Sequence, residues 1–101
     1  MNETQEELTR ALVLHPDIRS DGQRRAAGPA YEEAVALAAA LPHLEVVGGT
    51  VVRLPRPHPG MLFGSGKIQE LAEWIKRDEI ALVLIDGPVS PIQQRNLEKE
   101  W

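Results

Sequence analysis

The sequence predicts an α/β fold, a small parallel sheet flanked by helices, with elements in the order β-α-β-α-β-α. Three observations carry this reading. Strand-like and helix-like segments alternate along the chain. Residues 80–85, Ile-Ala-Leu-Val-Leu-Ile, form an unbroken apolar run, as expected of a parallel strand covered on both faces. Ser90-Pro91-Ile92-Gln93 matches a helix-capping box with proline at the first helical position.

The elements follow in order. Residues 1–9 are polar and expected to fray, leaving residues 10–101 as the domain. Residues 10–14 read as a short buried strand, stopped by His15-Pro16. Residues 17–28 contain Asp21-Gly22 and Gly28-Pro29 and read as a loop. Residues 30–41 place Ala34, Leu37, Ala38 and Leu41 on one helical stripe, which Pro42 ends. Residues 44–54 are a valine-rich strand in which Gly48-Gly49 signals a bend or bulge. A proline-rich loop, residues 55–64, leads to a second helix striped by Ile68, Leu71, Ala72 and Ile75. The third helix carries Ile92, Leu97 and Trp101. Because the chain stops at that helix, the expectation is a fragment of a longer protein that lacks at least one C-terminal strand. Apolar surface beside Val83 and Ile85 would then be open, so the isolated chain is expected to be poorly stable or to self-associate.

Composition narrows the class. With 101 residues, 43% hydrophobic and 26% charged, the chain suits one small globular domain. Its aromatics are Tyr31, Phe63, Trp74 and Trp101, so the core must rest on aliphatic side chains. The net charge of −4 argues against bulk nucleic-acid binding. Arg19, Arg24 and Arg25 nevertheless share one loop, and Arg53 and Arg56 border another; a local basic patch competes with plain solvated charge. Cysteine is absent, which excludes disulfides, thiolate metal sites and cysteine nucleophiles, and fits a cytoplasmic protein. No apolar run approaches the ~20 residues of a membrane span, and the N-terminus lacks the order of a secretory signal.

The most informative motif is Gly64-Ser65-Gly66-Lys67, which opens the second helix. A glycine-rich turn at a helix start offers free N–H groups and the positive end of the helix dipole, so it can hold an anion. It is not a working phosphate loop. Aligning Gly66-Lys67 with the Walker pattern puts Met61 where the first glycine belongs and Ile68 where the magnesium-binding hydroxyl belongs. Two readings remain: a tight loop-to-helix turn, or a weaker contact of Lys67 and the helix N-terminus with an anion or RNA backbone.

Other residues are weighed the same way. Ligands of open α/β folds gather at the carboxyl ends of strands, here residues 15–25, 55–67 and 86–90. Asp86 suits a metal or a ribose, but more simply a turn hydrogen bond. His15, His43 and His58 lack metal-ligand spacing, and no paired-carboxylate or Ser-His-Asp arrangement can be argued. Gln93, Gln94, Arg95 and Asn96 are dense in donors; they suit RNA contacts or a solvated face against a neighbouring domain.

Taken together, Gly49-Thr50-Val51-Val52-Arg53, Arg56-Pro57, Phe63-Gly64-Ser65-Gly66-Lys67 and Ser90-Pro91-x-Gln93-Gln94-Arg95-Asn96-Leu97-Glu98-Lys99 resemble the N-terminal domain of the HflX family of ribosome-associated GTPases. The resemblance covers roughly residues 10–101. It implies a parallel α/β domain at the front of a cytoplasmic GTP-binding protein, followed by a helical hairpin and a G domain that this chain lacks. GTP and magnesium are implied for that parent, and no cofactor for this fragment. The implied partners are the large ribosomal subunit and its RNA, together with the hairpin and G domain, in the handling of stalled or inactive ribosomes. RNA or phosphate contact would fall on Gly64, Ser65, Gly66, Lys67, Gln93, Arg95 and Asn96; none is assigned a catalytic or metal role. The alternatives are a nucleotide-binding, ATP-like domain with weak hydrolase activity, and an intramolecular regulator of the G domain.

Overall fold

The computed structural model describes residues 8–18 and 27–101; the expectations for residues 1–7 and for the arginine-bearing loop at 19–26 lie outside them. The described chain runs β1 (Thr9–Ile18), α1 (Ala27–Ala39), β2 (Leu44–Leu54), α2 (Ser65–Arg77), β3 (Leu82–Ile85) and α3 (Pro91–Glu100). All strand pairs are parallel, in the order β2-β1-β3. This is the predicted α/β architecture, with β1 as the central strand.

β1 does not stop at His15-Pro16 but runs on to Ile18. In a parallel strand the N–H and C=O of one residue point to the same neighbour, alternating along the chain. The Leu14 carbonyl accepts from the Asp86 N–H at 2.8 Å, so Leu14 and Pro16 both face the β3 side. β3 ends at Ile85, opposite Leu14. Pro16 therefore sits beyond the end of that neighbour, and its missing N–H costs no ladder bond.

The Gly48-Gly49 bulge appears as expected: Ala11 pairs with Val46 and Leu12 with Gly48, so Val47 is skipped. Both glycines admit a close neighbour. The Trp74 ring of α2 lies against Gly48 on one face of the sheet, and Tyr31 of α1 lies against Gly49.

The main core fills the face under α2 and α3. Leu12, Leu14, Ile18, Val52 and Leu54 from the sheet meet Ile68 and Leu71 of α2, Leu97 of α3, and Leu62, Phe63 and Ile80. Asp78 fastens the end of α2: its carboxylate accepts from Trp74 Nε1 at 2.9 Å and Arg77 Nε at 3.2 Å, and its carbonyl from Arg10 Nε at 2.8 Å. The hydrogen bond from Arg77, with help from Trp74, holds this carboxyl below the ordinary aspartate value against the opposing effect of desolvation.

Three local expectations are corrected. First, β3 is not covered on both faces; it is a four-residue edge strand, and Leu82 is 37% exposed. Second, the helix expected over 30–41 runs Ala27–Ala39 instead, so Leu41 lies beyond it; Leu37 and Leu41 are 65% and 51% exposed, whereas Ala30 and Ala38 are buried. α1 packs over β1 and β2, with Tyr31 turned toward Gly49 of β2. Ala30, seven residues before Leu37 and so near it on the helical wheel, is buried, so the exposure of Leu37 is not a matter of helix face alone. Third, Ile92 is 65% exposed, and Gln93 is buried in its place. Gln93 is the inward member of the capping box, so Ile92, one residue earlier, points outward.

Candidate functional site

The 64–67 turn lies where β2's connection enters α2. Residues 58–62 form a tight loop: His58 N–H donates to the Leu62 carbonyl at 3.0 Å and Leu62 N–H to that of His58 at 2.9 Å. Leu62 is 1% exposed and sits at φ 67, a left-handed conformation unusual for a bulky side chain. Phe63 is fully buried, and Gly64 is the N-cap of α2.

Gly64 has φ −69 and ψ 159, which any residue adopts. A Cβ built on Gly64 or on Gly66 would meet no atom within 4 Å. Neither backbone strain nor packing requires these glycines, though Gly64 does serve the loop-to-helix turn as the N-cap of α2. Both are exposed, as is Ser65 between them. Gly64 provides no side-chain cap, so the first N–H groups of α2 are left for an outside acceptor. Lys67 Nζ stands 3.1 Å from Glu70 Oε1 in an exposed pair. Such surface pairs contribute roughly 0–1 kcal/mol, so a competing anion displaces this one at small cost. Ile68 is buried in the core at the position of the Walker hydroxyl, so no metal-binding oxygen projects there.

The structure divides the α3 candidates. Arg95 is exposed and unpaired among the described residues. Gln93 and Asn96 turn inward: Gln93 Nε2 donates to the His58 carbonyl at 2.8 Å, and Asn96 Nδ2 to the Gly60 carbonyl at 2.9 Å. Gln93 Oε1 accepts from Ser90 N–H at 2.9 Å while its own N–H donates to Ser90 Oγ at 3.0 Å, completing the predicted capping box. A groove of about 630 Å³ beside the turn is lined by His58, Met61, Phe63, Ser65, Gln69 and Glu100, among others. A second groove, about 570 Å³, follows the open edge of β3 past Val83, Ile85, Leu97 and Trp101, away from the turn.

One pairing escaped the sequence. His15 Nδ1 and Asp86 Oδ2 are 3.0 Å apart, joining the second half of β1 to the residue that follows β3 across 71 positions of chain. The only signal for it was that both residues follow strand-like runs. Among the described residues no group of three or more His, Asp or Glu side chains could hold a metal, and no helix is long and apolar enough to cross a membrane.

The fold and site define a small parallel α/β domain with an exposed, glycine-flanked helix start that is not a nucleotide-triphosphate loop. The chain belongs to the family described as GTP-binding GTPase N-terminal, whose model matches residues 29–101. It is 36% identical over 103 aligned positions to the GTPase HflX of Magnetococcus marinus, covering 99% of this chain and 23% of that protein. The GTPase HflX of Escherichia coli is 37% identical over 67 positions, 66% of this chain and 15% of that protein. That of Methanocaldococcus jannaschii is 33% identical over 52 positions, 52% of this chain and 13% of that protein. The chain thus spans less than a quarter of the length of these relatives.

Proposed function

We propose that this chain is the N-terminal binding and positioning module of an HflX-like GTP-binding protein of the cytoplasm. In this reading it docks on the large ribosomal subunit through ribosomal RNA and helps the parent protein act on stalled or inactive ribosomes. GTP, magnesium and hydrolysis belong to the remainder of that parent. The observation that carries the reading is the pair Gly64 and Gly66, exposed and with open space where a Cβ would stand, beside Lys67 and uncapped amides. A phosphate group approaching the backbone closely would use all of these features.

Lys67→Ala tests the contact. It should weaken binding of the chain to isolated large subunits several-fold and lower the slope of log affinity against log salt by about 0.7–0.9, one phosphate contact. Unchanged affinity and slope across a potassium chloride series would reject the reading.

A second reading, that the domain packs on its own hairpin and G domain and tunes their nucleotide state, is favoured by the open β3 edge and the exposed Leu37, Leu41 and Leu82. It differs in outcome: removing the domain from the parent would change GTP turnover and leave ribosome affinity intact.

A further inference from the structure

α3 grips the chain on both sides of the 64–67 turn. Before the turn, Gln93 and Asn96 hold the carbonyls of His58 and Gly60, 35 and 36 positions away in sequence. After it, Trp101 Nε1 donates to the carbonyl of Ile68 in the first turn of α2 at 3.2 Å. Between the two grips, Phe63 is fully buried with its ring centroid 6.3 Å from that of Trp101. The gripped loop is also the one that holds Leu62 in a left-handed conformation, which persists only when its surroundings fix it.

We infer that Gln93 and Asn96 are positioning residues: they make the 58–68 segment follow α3, so α3 sets where the glycine-flanked helix start stands. The inference rests on the RNA-contact reading for its functional half and on the geometry alone for its mechanical half. Solvating two amides would not require this arrangement. Gln93 is 8% exposed, and both donors select backbone carbonyls of one strained loop rather than water. Arg95, on the outward side of the same helix, is then carried in register with the turn.

The test is the double variant Gln93→Glu with Asn96→Asp. Glutamate keeps an oxygen for the Ser90 N–H and removes the donor to His58; aspartate removes the donor to Gly60. Hydrogen exchange on this chain should quicken about tenfold at the amides of Leu62, Phe63 and Ile68, with the amides of Leu12 and Leu14 in β1 unchanged. Equal protection at the loop, or equal acceleration in β1, would overturn the clamp. The functional half is read with a labelled single-stranded RNA. The double variant should weaken binding about tenfold and lower the salt slope, whereas the same added charge at the exposed Ala36 and Ala39 of α1, as Ala36→Glu with Ala39→Glu, should do neither. Adding Lys67→Ala to the double variant should weaken binding little further, because both act on one contact. Additive losses, or an unchanged salt slope, would overturn positioning. If Lys67→Ala alone leaves RNA binding untouched, the contact reading fails, while the exchange measurement still decides the clamp.

Discussion

Gly49→Ala should destabilise the chain by at least about 1–3 kcal/mol and lower its urea midpoint clearly. A methyl built at this position stands 2.6 Å from the carbonyl oxygen of Val13 and collides with the hydroxyl of Tyr31. Tyr31 can swing away; the carbonyl of the central strand cannot, because β1 is paired on both sides there. Overpacking against a rigid neighbour costs about 1–3 kcal/mol, and more where the backbone must move. A domain of this size has on the order of 5–15 kcal/mol to lose, so this is a large share of it. Urea titration followed by far-UV circular dichroism checks this. A midpoint near that of the parent chain would mean that the β1–β2 spacing yields more easily than the packing implies.

Phe63→Ala is the second large effect, expected to cost about 3–5 kcal/mol for deletion of a buried aromatic ring. Phe63 is fully buried among the residues that join the sheet to α2 and α3. It also separates the left-handed Leu62 from the N-cap Gly64, so its loss leaves the loop less constrained just where the candidate contact begins. Thermal melts of the variant, with indole fluorescence reporting on Trp74 and Trp101 together, measure the loss. A loss of less than 1 kcal/mol, on this order-of-magnitude scale, would show that the 58–64 segment is not anchored through its aromatic ring.

Much of the fold was legible because its signals are local. The capping box at Ser90 and Gln93, the bulge at Gly48-Gly49 and the α2 stripe each depend on residues a few positions apart. What was not legible depends on neighbours distant in sequence. Pro16 reads as a strand stop until β3 is known to end opposite Leu14. Ile92 reads as core until Gln93 is seen to turn inward toward a carbonyl 35 positions earlier. The apolar run at 80–85 gives no sign that its strand lies at an edge, because hydrophobicity records what a segment can bury and not what stands beside it.

The candidate site divides along the same line. The 64–67 turn was found from its glycines and lysine. That no neighbour crowds its glycines required the surrounding space to be seen. The inward bonds of Gln93 and Asn96, and the His15–Asp86 pair, are contacts that no spacing rule specifies.

The measurement that bears most directly on the account is the affinity of Gly66→Ala for isolated large ribosomal subunits, taken beside its stability. Nothing within 4 Å of the new methyl opposes it. Alanine in a helix is favoured over glycine by about 0.5–1 kcal/mol, so the fold should become more stable. Cβ atoms tilt toward the helix N-terminus, so the same methyl should crowd an anion held by the first amides and weaken binding. A more stable chain that binds less well is the predicted result. A more stable chain that binds as before would contradict a close phosphate contact at this turn.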